Sequence, residues 1–295
     1  DVSYLWLFNN NSLGIPGDDM SYWLHSATLA FDRDLEYTND YEIDSTIFNF
    51  ETNAPSHPPG AGYLASPFVF LLSQLDKFVE NSIDNTRINP VKSFAYLGFF
   101  IAGLFYTYLG TLLLSKILKK YNNKYTGLLI FCGLLSTLVH FVSTRFLMAH
   151  ATEFFLCSVL IFLFEKNNNK YLSNTEASLL FLTFFLLAIT RPSTFLYSLF
   201  LIFFYRKKFN FSIKSKFIYV IQLLVLSTIY VLISNKLYKK NFMLLNTYGE
   251  NMDEYTSTLN FEQLFTGLLK LPNLFFSTNM GIIFSTPIVF LATII

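Results

Sequence analysis

From residue 93 onward the chain is a series of apolar runs separated by short polar breaks, whereas the first 92 residues are mixed, with two short apolar patches. A helix that crosses a bilayer needs about 20 mainly apolar residues. Residues 93–115 meet this before Lys116, Lys119, Lys120 and Lys124, and predict one span. The run over residues 126–164 is too long for one crossing and is interrupted by Arg145, His150 and Glu153, which predicts two spans joined by a tight turn. Residues 172–205 repeat the pattern, with Arg191-Pro192 at the centre. Proline ends or kinks a helix, and one uninterrupted helix would be overlong. Residues 217–234 predict a further span, and the run from residue 274 to 295 begins another, for about seven in all. The fold class expected is an all-α polytopic membrane protein. A first loop covers residues 1–92, a helix bundle covers residues 93–295, and within the bundle lies a loop over residues 235–273.

In the first loop, Met20, Trp23, Leu24, Ala27, Ala30 and Phe31 recur at helical spacing and predict an amphipathic helix lying at the membrane interface. The second patch, residues 62–75, is short and closely followed by Asp76, Lys77 and Glu80. It predicts a second interfacial helix opened by Pro58-Pro59, which pre-set the first turn. Asp1 stands where a methionine would open a chain and Ile295 lies inside an apolar run, so both ends are expected to be interior to a longer protein, with an anchor ahead of Asp1.

Composition agrees with a membrane protein: 53% of residues are hydrophobic, 14% are charged, and 35 are Phe. The net charge of +1 gives no reason to expect nucleic acid. The distribution of charge says more. If the lysine and arginine clusters at 116–124, 166–170 and 206–216 all face the cytoplasm, the positive-inside rule is met, and residues 1–90, the Arg145 turn, Arg191 and loop 235–273 share the opposite face. Cys132 and Cys157 both lie within apolar runs, as small core residues do.

Four groups carry candidate chemistry. Asp18 and Asp19 lie between a Pro-Gly turn and a helix, where a carboxylate caps the helix or, with a neighbouring acid and partial burial, serves as a general base. His57 leads a His-Pro-Pro turn, which is either plain punctuation or part of a site. Arg145, His150 and Glu153 interrupt a hydrophobic hairpin, where ionisable groups are costly and so are either functional or paired, the nearest pairing being Arg145 with Glu153. Arg191 either snorkels from a span end or holds a phosphate with its planar guanidinium.

The acidic pair in the first loop, the short helix after it and His57-Pro58-Pro59 before the next span resemble the GT-C membrane glycosyltransferases. The nearest in pattern are the protein O-mannosyltransferases and the bacterial aminoarabinose transferases acting on lipid A. Thr190-Arg191-Pro192, Asn246-Thr247-Tyr248-Gly249 and the stretch from Asn279 to Pro287 extend the likeness over nearly the whole chain. The resemblance implies transfer of a sugar from a polyprenyl-phosphate donor to an acceptor hydroxyl, with inversion. Asp18 would be the base and Asp19 its neighbour. His57, Arg145 and Arg191 would serve the donor and its phosphate, with His150, Glu153 and Tyr248 in support. It further implies a lipid, glycan or protein acceptor and a bacterial inner membrane, with the site facing the periplasm or exterior. A divalent metal is left open. The alternative reading is a transporter, lipid-binding or accessory membrane protein, with the same ionisable groups lining a pathway.

Overall fold

The computed structural model describes residues 17–38, 54–79, 90–121, 124–133, 138–166, 172–205 and 213–239. The expected span after residue 274, most of loop 235–273 with Tyr248, and the stretch from Asn279 to Pro287 lie outside them. The described residues form helices α1 (Gly17–Ala27), α2 (Gly60–Asp76), α3 (Phe94–Tyr121), α4 (Thr126–Gly133), α5 (Val139–Thr144), α6 (His150–Glu165), α7 (Asn174–Thr190), α8 (Pro192–Phe204) and α9 (Ile213–Tyr238). The protein is an all-α membrane protein. Among the described residues two helices, Phe94–Tyr121 and the stretch Ile218–Tyr238, are long and apolar enough to cross a bilayer.

The predicted breaks are where the charges and proline put them. The hairpin over residues 126–164 turns at residues 145–149, and the long run over residues 172–205 divides at Arg191 into α7 and α8. Pro192 occupies the first turn of α8, and Arg191 before it is extended at φ −151°, ψ 87°, the region to which a following proline drives a residue. At the far end, α7 opens with a capping box in which Ser173 and Glu176 satisfy each other's backbone N–H.

Helix α3 has 28 residues, about 42 Å at the usual rise and longer than a hydrocarbon core of about 30 Å. It runs parallel to α6: Gly103 lies opposite Ala151, Gly110 opposite Phe154, and Lys120 reaches Glu165. Its first two turns or so therefore project beyond the start of α6, and there α2 packs antiparallel to them. Asp76 at the end of α2 accepts from the N–H groups of Phe94 (2.8 Å) and Ala95 (2.9 Å), a cap for α3 supplied from another helix. Further along, Gly98 meets the carbonyl of Phe68, and the Tyr106 hydroxyl donates to the carbonyl of Leu64. Helices α1, α2 and the start of α3 form a cap on one end of the bundle.

One expectation for this cap is corrected. Helix α1 does not have the exposed polar face of an amphipathic helix, because every residue from Ser21 to Ala27 is buried, including its polar Ser21, His25 and Ser26. Gly62 lets α2 approach to backbone contact at Tyr22 and Ser26, while Leu237 and Tyr238 at the end of α9 join the same core as Trp23, Leu24, Phe99 and Phe146. Helix α2 keeps Phe70, Leu71 and Leu75 exposed, and Phe78 just past its end is exposed as well. At the other end of the bundle, Glu165 accepts from Lys120, Tyr121 and Tyr205, and Lys166 pairs with Glu176 at 3.0 Å.

Candidate active site

The chemistry predicted from separate stretches collects at the capped end. Helix α1 begins at Gly17, so Asp18 and Asp19 fall in its first turn, where the helix dipole favours carboxylates. Asp19 is buried, and its Oδ2 accepts from Nε of Arg145 at 2.8 Å. This replaces the expected pairing of Arg145 with Glu153. The turn at residues 145–149 directs the arginine toward α1, whereas Glu153 lies three positions past the start of a new helix and faces α8. There it meets Nδ1 of His150 at 3.6 Å and Nε of Arg191 at 3.6 Å, and it accepts the hydroxyl of Thr194. The arginine–aspartate bond uses one of the five N–H donors of the Arg145 guanidinium, and about a third of that side chain is exposed (34%).

His57 joins the two groups. Its ring lies 5.4 Å from that of Tyr22, one turn along α1 from Asp19, and its Nδ1 is 3.2 Å from the Ser56 hydroxyl. Three residues later Gly60 touches Thr190, the neighbour of Arg191. A Cβ on Gly60 would stand 2.3 Å from Thr190 Oγ1 and 2.7 Å from the Thr190 nitrogen. Asp19, Tyr22, His57, Gly60, Thr190, Arg191 and Glu153 thus form a continuous line across the end of the bundle. The buried Thr190 hydroxyl on this line finds no hydrogen-bond partner among the described residues.

A cavity of about 460 Å³ opens beside His150 and Glu153 and runs between α3, α4, α5 and α6 along Thr111, Leu114, Ile130 and Cys157. Its size is that of a small-molecule site, and apart from Thr111, His150 and Glu153 its lining is mainly apolar. Among the described residues no three His, Cys, Asp or Glu side chains converge as metal ligands do.

The model of the Alg9-like mannosyltransferase family matches residues 36–259, about three quarters of the chain. The chain belongs to that family. It is a family of the GT-C superfamily, so the resemblance seen in the sequence stands at that level, and the protein is a membrane glycosyltransferase of a mannosyltransferase family. No curated protein and no solved structure matches the chain. Within this mannosyltransferase the matched region takes in His57, Arg145, His150, Glu153, Arg191 and Tyr248, and the acidic pair lies ahead of it.

Three residues at the site went unnoticed in the sequence. His25 is fully buried in α1, where burial pushes its pKa down to about 3. Its Nδ1 lies 2.6 Å from the Tyr37 hydroxyl and its Nε2 lies 2.8 Å from the carbonyl of His57. The same carbonyl accepts the Tyr238 hydroxyl at 2.6 Å. The available signal was a histidine in mid-helix on the face shared with Ser21 and Ser26, a polar group with no reason to be there unless something distant answers it.

Proposed function

We propose that the protein transfers a mannosyl residue from a polyprenyl-phosphate carrier to an acceptor hydroxyl, at the membrane face opposite its lysine-rich helix ends. The observation that carries this is the pairing of two arginines with two carboxylates at one end of the bundle, beside a cavity lined by His150 and Glu153 and otherwise mainly by apolar side chains. A lipid phosphate has the same division. Its isoprenoid chain suits the walls at Leu114 and Ile130, and its phosphate suits the guanidinium of Arg191, which pairs with the cavity residue Glu153.

In this reading Asp18 accepts the acceptor's hydroxyl proton as the oxygen bonds to the anomeric carbon. The bond from that carbon to the phosphate oxygen breaks, and its electron pair leaves with the lipid phosphate. A single displacement of this kind inverts the anomeric centre. Asp19 is committed to Arg145, which supports giving the proton to its neighbour. Arg191, oriented by Glu153, meets the growing charge on the phosphate, the kind of pre-aligned stabilisation that is usually the largest catalytic contribution. The lysines at the opposite ends of α3 and α6 support an orientation with the site on the face away from the cytoplasm, which in a bacterial inner membrane is the periplasm or cell exterior.

The test is purified protein in lipid discs with polyprenyl-phosphate mannose, labelled in the sugar, and a hydroxyl-bearing glycolipid acceptor. Mannosylated product and free polyprenyl phosphate should form in equal amounts. Transfer from a nucleotide sugar without the lipid carrier, or movement of the lipid with no product, would overturn the reading.

A further inference from the structure

His25 has no place in the chemistry just described, yet it is among the most enclosed polar groups of the cap. A neutral imidazole donates from one nitrogen and accepts at the other. The partner of Nε2 is a carbonyl, which can only accept, so Nε2 carries the hydrogen and Nδ1 accepts from the Tyr37 hydroxyl. Burial keeps the ring neutral, which preserves this assignment. The carbonyl so held belongs to His57, and it takes a second hydrogen bond from Tyr238 at the end of α9. Two donors from two distant helices therefore converge on one backbone oxygen of the His57-Pro58-Pro59 turn. Prolines 58 and 59 have no N–H with which to anchor the turn themselves.

We propose that His25 is a positioning residue for sugar transfer: with Tyr238 it fixes the His57 carbonyl, and through it holds the His57 imidazole beside Tyr22. This rests on the reading of His57 as a residue of the transfer site. The side chain of His25 touches no substrate and acts through the backbone of the turn. Because Gly62 packs against the Cβ of His25 and the backbone of Tyr22, the same contact locks the entry of α2.

The test compares His25→Gln, His25→Phe and Tyr238→Phe, with transfer kinetics and melting midpoints measured for each, alone and with His57→Ala. Glutamine places an amide N–H near the position of Nε2, while phenylalanine fills the volume without a donor. His25→Phe should lower turnover about tenfold or more, His25→Gln should recover most of it, and Tyr238→Phe should give a smaller loss. In the His57→Ala background, His25→Phe should add almost nothing, since residues acting through one group are not additive. A purely structural histidine predicts losses that follow the melting midpoint and add fully to His57→Ala, and that result overturns the proposal. So does a His25→Phe protein that works at the wild-type rate. If His57→Ala itself leaves transfer unchanged, the site reading of His57 fails, which is a different outcome from a silent His25.

Discussion

Gly60→Ala is expected to separate the two halves of the site. The new methyl group would lie 2.7 Å from the backbone nitrogen of Thr190 and 2.8 Å from the backbone carbon of Ile189, as well as 2.3 Å from Thr190 Oγ1. Ordinary contact begins near 3.4 Å, so α2 and the end of α7 must part by roughly 0.7 Å. A side chain can rotate away, but two backbone atoms in the last turn of a helix cannot. Overpacking of this kind costs about 1–3 kcal/mol. The functional loss should be larger than the stability loss suggests, because Gly60 follows the His57-Pro58-Pro59 turn and Thr190 precedes Arg191. A misplacement of about 1 Å between reacting groups can cost on the order of 10²-fold in rate. The assay is mannosyl transfer and thermal unfolding of Gly60→Ala, with Gly127→Ala as control, because a Cβ at Gly127 meets nothing within 4 Å. Thr190→Ala should not rescue Gly60→Ala, since the backbone contacts remain. Full activity in Gly60→Ala, or rescue by Thr190→Ala, would refute the packing of α2 on α7.

Arg191→Ala should raise the KM for the lipid donor more than that for the acceptor, and Arg191→Lys should recover only part, because an ammonium lacks the planar fork; donor-dependence kinetics would check this. A donor dependence unchanged in Arg191→Ala would return the side chain to snorkelling. For pH, His25 binds a proton near 6.5 when unfolded but only near pH 3 when folded, so its contribution to stability is complete above pH 6.5 and is lost as the pH falls toward 3. At pH 5 the loss is about 2 kcal/mol, and the fall in melting midpoint between pH 7 and pH 5 should be smaller in His25→Gln than in the wild type. Equal falls would contradict the burial of a neutral His25.

The sequence marked the breaks of the bundle well because charge and proline act locally. Arg145 and Arg191-Pro192 interrupt apolar runs, and the chain turns at both. It also assigned the acidic pair, Arg145, Glu153 and Arg191 to one face, and Asp19, Arg145, Glu153 and Arg191 do meet at one end. What it did not show was which group meets which. Arg145 and Glu153 are eight residues apart and of opposite charge, yet Arg145 pairs with Asp19, 126 residues away. That choice depends on how the turn aims the side chain and on α1 docking against it. The burial of α1 was hidden for a similar reason. Helical periodicity distinguishes an apolar face from a polar one, but the polar face of α1 is covered by Tyr37, Gly62 and Tyr238, whose approach no local pattern announces. The projection of α3 beyond α6 is likewise a property of two helices together, set by Gly103 and Gly110 opposite Ala151 and Phe154.

The central claim is that the acidic pair at the start of α1 does chemistry as well as architecture, and the most direct test is turnover of Asp18→Asn beside Asp19→Asn with saturating lipid donor. Asparagine keeps the shape and the hydrogen-bonding oxygen at a helix start but cannot take a proton. If Asp18 is the base, its Asn variant should turn over roughly 10²–10⁴-fold more slowly, with donor binding and melting midpoint close to wild type. Asp19→Asn should instead weaken the hold on Arg145, lowering the melting midpoint together with activity. An Asp18→Asn protein that transfers mannose at the wild-type rate would contradict the account, leaving Asp18 as a favourable charge at a helix end and nothing more.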